Sequence, residues 1–254
     1  MVAKAKRKPA LFAVNEKSVS AAPVPQLVTT RSKIRPEHLT QISPLTETQE
    51  TLFDLFESDS HIVLDGFAGC GKTFVSLYLA LREVLINKQY KKIVIIRSIV
   101  PSRDIGFLPG SLEEKVAVYE APYVSIFTEL LAREIPEPYK KLQEQRVIEF
   151  MPTSFLRGTT INDSIIVVDE SQNLNAHELD TVITRVGQNS KLILCGDYTQ
   201  SDLDKKEKDG YLKILNILKS MYGVSTITFG EDDIVRSQFV KSYIIAKNRL
   251  KITL

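Results

Sequence analysis

The sequence is poor in the residues that build disulfide frameworks and metal sites. Its two cysteines, Cys70 and Cys195, are too few for a disulfide scaffold, and its three histidines, His38, His61 and His177, share no ligand spacing with them. A reduced, cytoplasmic chain is expected, with no resident metal apart from an ion that arrives with a substrate. Long apolar runs are missing too. The longest are stretches such as IIVV at 165–168, far short of the ~20 residues that span a bilayer, so neither a transmembrane helix nor a membrane partner is expected. Residues 1–8 lack the apolar region of a secretory signal, which argues against export. Net charge is small, +2 overall, but uneven: the first 40 residues carry eight Lys/Arg against two acids, leaving the remainder at −4. Such a basic arm either holds nucleic-acid phosphates through counterion release or stands as a solvated extension.

What is present is an ordinary globular composition of 254 residues, 43% hydrophobic and 25% charged, which excludes disorder of the whole chain. AAPVPQL at 21–27 marks residues 1–42 as an extended arm, with packed structure starting near Ser43. From there helical spacing alternates with short apolar runs. Helices are predicted over 47–57, 72–87, 112–133, 176–186, 210–220 and 236–250, and strands at 62–64, 93–96, 147–150, 165–168, 192–195 and 224–229. Apolar runs of four or five between helices signify strands buried on both faces, hence one α/β domain, 43–254, with a mainly parallel sheet flanked by crossover helices. No internal repeat is visible. The loop at 97–111, rich in Pro, Gly and charge, is too long for a simple connection and is a functional candidate.

GFAGCGKT at 66–73 fits G-x-x-x-x-G-K-[ST] between a predicted strand and a predicted helix. Its glycines let backbone N–H groups wrap a phosphate while the helix start faces the same anion. The candidate nucleotide-binding residues are therefore Gly66, Phe67, Ala68, Gly69, Cys70, Gly71, Lys72, Thr73 and the adjoining Phe74. Lys72 is expected to reach the outer phosphates of a nucleoside triphosphate such as ATP, and Thr73 to ligate Mg²⁺. Downstream, the strand at 165–168 ends in Asp169-Glu170, which suits a metal carboxylate followed by a residue that orients or deprotonates the attacking water. The strand at 192–195 likewise ends in polar groups, from which Thr199 or Gln200 can sense a phosphate or simply form a polar turn. Neither cysteine has a neighbouring base, so neither is expected to act as a nucleophile. Gln49 opens the first helix; its amide could read an adenine edge or lie in solvent.

Taken together, GFAGCGKT, IGFLPGSLEEK (105–115), FLRGTTIND (155–163) with IIVVDESQN (165–173), ITRVG (183–187) and CGDYTQSDL (195–203) closely resemble the PhoH family of ATPases over roughly residues 43–240. The resemblance implies a single RecA-like P-loop NTPase core related to superfamily 1 helicases, with ATP-driven action on RNA or single-stranded DNA. It carries over Gly66, Gly69, Gly71, Lys72 and Thr73 as the phosphate loop, Asp169 and Glu170 as metal and water residues, Gln200 as phosphate sensor and Gln49 as adenine reader. Cys70 stands where that family usually has Thr, and Ser171 where Ala is common. A minimal core with a short tail is typical of phage-encoded members.

In two-lobed helicases an arginine from the second lobe stabilises transition-state charge. With one lobe expected here, that arginine should come from a neighbouring protomer, and a repeated head-to-tail contact closes into a ring. A homo-oligomer is expected, a hexamer in keeping with the resemblance, with Arg236 and Arg185 as candidate fingers. Arg97, Ser98, Arg103 and Lys115 are candidates for contact with single-stranded nucleic acid, with Phe107 either stacking a base or packing its loop. The expected activity is Mg²⁺-dependent ATP hydrolysis coupled to binding, translocation or unwinding of single-stranded nucleic acid, RNA in particular. The alternatives are a nucleotide-gated scaffold for a protein partner and a P-loop kinase.

Overall fold

The computed structural model describes residues 33–99, 112–197, 200–201 and 203–250. Among these residues, six strands form one sheet: β1 (His61–Gly66), β2 (Lys92–Arg97), β3 (Ile148–Pro152), β4 (Ser164–Val168), β5 (Lys191–Cys195) and β6 (Val224–Phe229). They lie in the order β3-β2-β4-β5-β1-β6, and every pairing is parallel. Seven α-helices among the described residues supply the crossovers and flanks: α1 (Glu47–Phe56), α2 (Lys72–Arg82), α3 (Leu112–Leu130), α4 (Pro138–Glu144), α5 (Ala176–Thr184), α6 (Lys205–Ser220) and α7 (Gln238–Arg249).

The period of two along each strand divides the core between the two faces of the sheet. Ile62, Leu64, Ile93, Ile95, Ile165 and Val167 share one cluster with α1 to α4, which contribute Leu52, Leu79, Tyr123 and Leu142. Val63, Val94, Ile96, Ile166 and Val168 belong to the other, with Leu179 and Val182 of α5 and Tyr211 and Leu215 of α6. Because both faces are covered, β4 and β5 are buried along their whole length, as the continuous apolar runs predict.

Helix boundaries follow local capping chemistry. The Thr46 side chain accepts from the Gln49 N–H at the start of α1, and Asn175 with Glu178 forms a capping box on α5. A second capping box, Asp204 with Glu207, starts α6 at Lys205, well before the predicted 210. The early turns, KKEKD, are polar, so hydrophobic periodicity does not report them. The helix expected over 112–133 ends at Leu130, and α4, which has Pro138 in its first turn, is an addition to the expected elements. Packing begins ahead of the expected Ser43, since Ile34 and Leu39 are each only 5% exposed and Leu39 bridges to Leu131. No described helix is long and apolar enough to cross a membrane.

A parallel sheet places all its carboxyl ends on one edge, and here that edge receives the 66–71 loop, Arg97, the Asp169-Glu170 pair, Asp197 and the segment after β6. The opposite, amino edge holds His61, whose Nδ1 accepts the Leu192 N–H at 3.1 Å. Burial, aided by the nearby Lys191 charge, lowers the His61 pKa from 6.5. The unfolded chain therefore takes up this proton at higher pH than the folded one, so the stability in question is intact above the unfolded pKa and is lost as the pH falls below it. Urea midpoints of the wild type should fall between about pH 7 and about pH 5. His61→Asn, whose Oδ1 can accept at the same place without titrating, should flatten part of that slope; an unchanged slope would remove His61 as its source.

Candidate nucleotide site

At the end of β1, Gly66 has a φ of 128°, and a Cβ there would collide with the backbone of Phe229 on β6. This glycine thus permits the close approach of two strands. The chain then curls through Gly69 and enters α2 at Gly71, which caps the helix in the left-handed region with φ 78°. Lys72, only 9% exposed, donates from Nζ to the carbonyl oxygens of Gly66 at 2.8 Å and Phe67 at 2.7 Å. Its ammonium therefore ties the two ends of the loop around the start of α2, a geometry suited to an anion. Gln49, 2% exposed, steadies the loop from α1: Nε2 donates to the Cys70 carbonyl at 3.0 Å, and Oε1 accepts the Leu45 N–H at 2.8 Å.

The acid pair faces this loop across β5. The Thr73 hydroxyl donates to Asp169 Oδ1 at 2.6 Å, which brings together two hard oxygen donors from different elements at the start of α2. That donor set fits a divalent cation held beside a phosphate. Glu170 follows with φ 49° and ψ 42°, a left-handed backbone that costs energy for a residue with a Cβ and recurs at functional sites.

Two residues outside the expected set connect these parts. Gln172, 2% exposed, donates from Nε2 to Glu170 Oε2 at 2.6 Å, while its Oε1 accepts the Asp197 N–H at 3.0 Å. Asp197 in turn accepts the Ala68 N–H of the phosphate loop at 3.0 Å. A continuous hydrogen-bonded line therefore runs from the loop to the Glu170 carboxylate. The signal for Gln172 lies in DESQ: the turn Ser171–Asn173 brings a side chain two positions on back beside Glu170. For Asp197 it is a carboxylate just beyond a buried strand that lies between β1 and β4.

A cavity of about 810 Å³ joins these groups. Its lining includes residues 68–74, Gln49, Asp169, Glu170, Gln200 and Arg236, and does not include Gly66 and Phe67. Gln200 also donates its N–H to the Asp197 carbonyl at 2.9 Å, while Thr199 lies outside the described residues. The Cys70 thiol, buried in the loop, is pushed up to about 11 mainly by desolvation, and Cys195 to about 12 for the same leading reason. Both stay protonated near neutral pH, in accord with small core side chains. Ser171 is accommodated by the Tyr211 hydroxyl of α6, 3.1 Å away.

The candidate arginines separate. β6 lies beside β1, so the segment after it passes over the phosphate loop: the Val235 N–H donates to the Gly69 carbonyl at 3.0 Å, and Arg236 packs against Gly69. Arg236 therefore reaches the cavity of its own chain, which differs from the expected delivery by a neighbour. Arg185 instead ends α5 at the amino edge, beside the Ile161–Val186 bridge, and its buried Nε has no hydrogen-bond partner among the described residues. Of the expected nucleic-acid contacts, Arg97 turns inward to Tyr123, and Ser98 is buried, donating to Glu178 at 3.0 Å. Arg103, Phe107 and the Lys115 side chain lie outside the described residues.

Residues 41–247 match the family model for PhoH-like protein. The chain belongs to the PhoH family. It is 35% identical over 189 residues to the PhoH-like protein of Synechocystis sp., covering 74% of this chain and 56% of that relative. Against the PhoH-like protein of Bacillus subtilis it is 35% identical over 185 residues, covering 72% and 57%. Protein PhoH of Escherichia coli is 33% identical over 192 residues, covering 75% and 54%. The chain thus spans little more than half the length of these relatives. Among solved structures, Pif1 helicase from Candida albicans aligns at 16% identity with a TM-score of 0.38, over 83% of this chain and 44% of that one. The large terminase of a thermophilic bacteriophage aligns at 12% identity with a TM-score of 0.45, over 79% and 50%. The PhoH core is an α/β fold with a parallel sheet flanked by helices, the G-x-x-x-x-G-K-T loop after β1 and the acid pair after β4.

The Gln172 bridge leads to a test. Gln172→Met keeps the length of the side chain and removes both of its hydrogen bonds. Nucleotide turnover should fall by about tenfold or more while nucleotide affinity stays within about twofold; unchanged turnover would mean that the Glu170 carboxylate needs no orienting partner.

Proposed function

We propose that this PhoH core is a Mg²⁺-dependent ATP hydrolase that couples turnover to binding, translocation or unwinding of single-stranded nucleic acid, RNA in particular. The observation that carries the hydrolase reading is the meeting of Thr73 Oγ1 and Asp169 Oδ1 at 2.6 Å beside Glu170 and the phosphate loop. The loop N–H groups and Lys72 bind the phosphates, with Lys72 exchanging its hold on loop carbonyls for phosphate oxygens. Thr73 and Asp169 would hold the Mg²⁺, which would neutralise charge on the outer phosphates. Glu170 takes the proton of the attacking water, Gln200 faces the outer phosphate, and Arg236 offsets its negative charge from the same chain.

Gln49 fits the adenine end. A carboxamide has two N–H donors and two acceptor positions; Leu45 and Cys70 use one of each, which leaves one N–H and one lone pair for the N6/N7 edge of adenine. The nucleic-acid reading is supported by the PhoH motifs and by the basic balance of the first 40 residues. A homo-oligomeric ring, hexameric in this reading, would bring Arg185 from the amino edge of one copy toward the carboxyl-edge cavity of the next.

Steady-state ATP hydrolysis tests this directly. Turnover should require Mg²⁺, rise with single-stranded RNA and fall by about a hundredfold or more in Lys72→Ala and Glu170→Gln. A Lys72-dependent rate indifferent to RNA would transfer the coupling to single-stranded DNA or a protein partner, and absence of turnover would favour a nucleotide-gated scaffold.

A further inference from the structure

Asp169 is held from a second side that the phosphate-loop chemistry does not use. Tyr123 of α3 is fully enclosed, at 0% exposure, with its ring 5.6 Å from that of Phe150 between centroids. Its hydroxyl donates to Asp169 Oδ2 at 2.9 Å. The Arg97 guanidinium, at the end of β2, is turned toward the same hydroxyl and brings positive charge toward Asp169 and Glu170. The neighbouring backbone is fixed as well, since the Asp169 N–H donates to the Ile96 carbonyl at 2.9 Å.

Both oxygens of the carboxylate are therefore committed, Oδ1 to Thr73 and Oδ2 to Tyr123. A carboxylate gripped by one oxygen can still swing about its Cβ–Cγ bond, whereas one gripped by both presents a fixed edge. Burying a phenol costs desolvation that only its hydrogen bonds offset, and phenylalanine would fill the same space without that cost. The hydroxyl is thus explained by what it holds. We propose that Tyr123, braced by Arg97, is a positioning residue that presents Asp169 Oδ1 to the Mg²⁺ of bound nucleotide. The proposal rests on the ATP and Mg²⁺ reading above. It also makes α3 and the end of β2, the two elements flanking residues 98–111, part of the support of the metal end of the site.

The test is equilibrium binding of a fluorescent ADP analogue, with Mg²⁺ and with EDTA, to the wild type, Tyr123→Phe and Arg97→Gln. In the wild type Mg²⁺ should raise the affinity. In Tyr123→Phe that gain should shrink about tenfold, the size expected from losing one hydrogen bond to a charged group, while the EDTA affinity and the thermal midpoint of the unliganded protein stay level. Arg97→Gln, which leaves the ring in place, should reduce the same gain by about threefold and supplies the reading should Tyr123→Phe fold poorly. A full Mg²⁺ gain in a folded Tyr123→Phe, or an equal loss of affinity with and without Mg²⁺, would overturn the positioning role. Absence of any Mg²⁺ gain in the wild type would instead overturn the underlying reading of the site.

Discussion

The hydrogen bond between Thr73 and Asp169 joins the two halves of the candidate nucleotide site. It crosses from the first turn of α2 to the end of β4, over the intervening β5, and can form only if the three strands keep their register. Pairing of Leu64 with Cys195 and of Val168 with Leu194 sets that register. The fully buried β4 and β5 resist slippage, because a shift by one residue would exchange the two faces of the core. The sheet thus acts as a ruler that fixes the distance from phosphate loop to acid pair.

Around that contact, polar groups that would be costly to bury are satisfied by one another. Lys72 is hydrogen-bonded by loop carbonyls, Gln49 by Leu45 and Cys70, and Gln172 by Glu170 and Asp197. The Gln49–Cys70 and Gln172–Asp197 bonds also link separate segments, and with the Asp197–Ala68 bond they connect a phosphate entering the loop to Glu170. The left-handed backbone of Glu170 is held in place by the turn Ser171–Asn173 and by the contact of Ser171 with Tyr211. Of the six left-handed non-glycine residues among those described, Glu170 is the one that lines the cavity.

Much of this architecture is legible in the sequence. Alternating apolar runs and helical spacing mark all six strands in order, and the 66–73 motif with Asp169-Glu170 locates the cavity. What escapes has physical causes. The early turns of α6 are polar and show only in their capping residues, and the short α4 has too few turns for periodicity to register. Tyr123 and Asp197 act through contacts between segments distant in sequence, and Gln172, although it reaches Glu170 two positions away, also joins Asp197 across 25 residues, which a linear motif does not encode. The placement of Arg236 over its own loop depends on β6 lying beside β1, a matter of strand order rather than composition.

In the proposed function the Thr73–Asp169 junction is the metal end of an ATP site. The most direct measurement is a crystal structure of Glu170→Gln, which should bind without hydrolysing, grown with ATP and Mg²⁺. Nucleotide is expected along the 66–73 loop, with a metal ion at about 2.1 Å from Thr73 Oγ1 and within one water of Asp169. Nucleotide bound at another place, such as the cavity of about 500 Å³ beside His61 at the amino edge, or bound in the loop with its metal held away from both side chains, would contradict it.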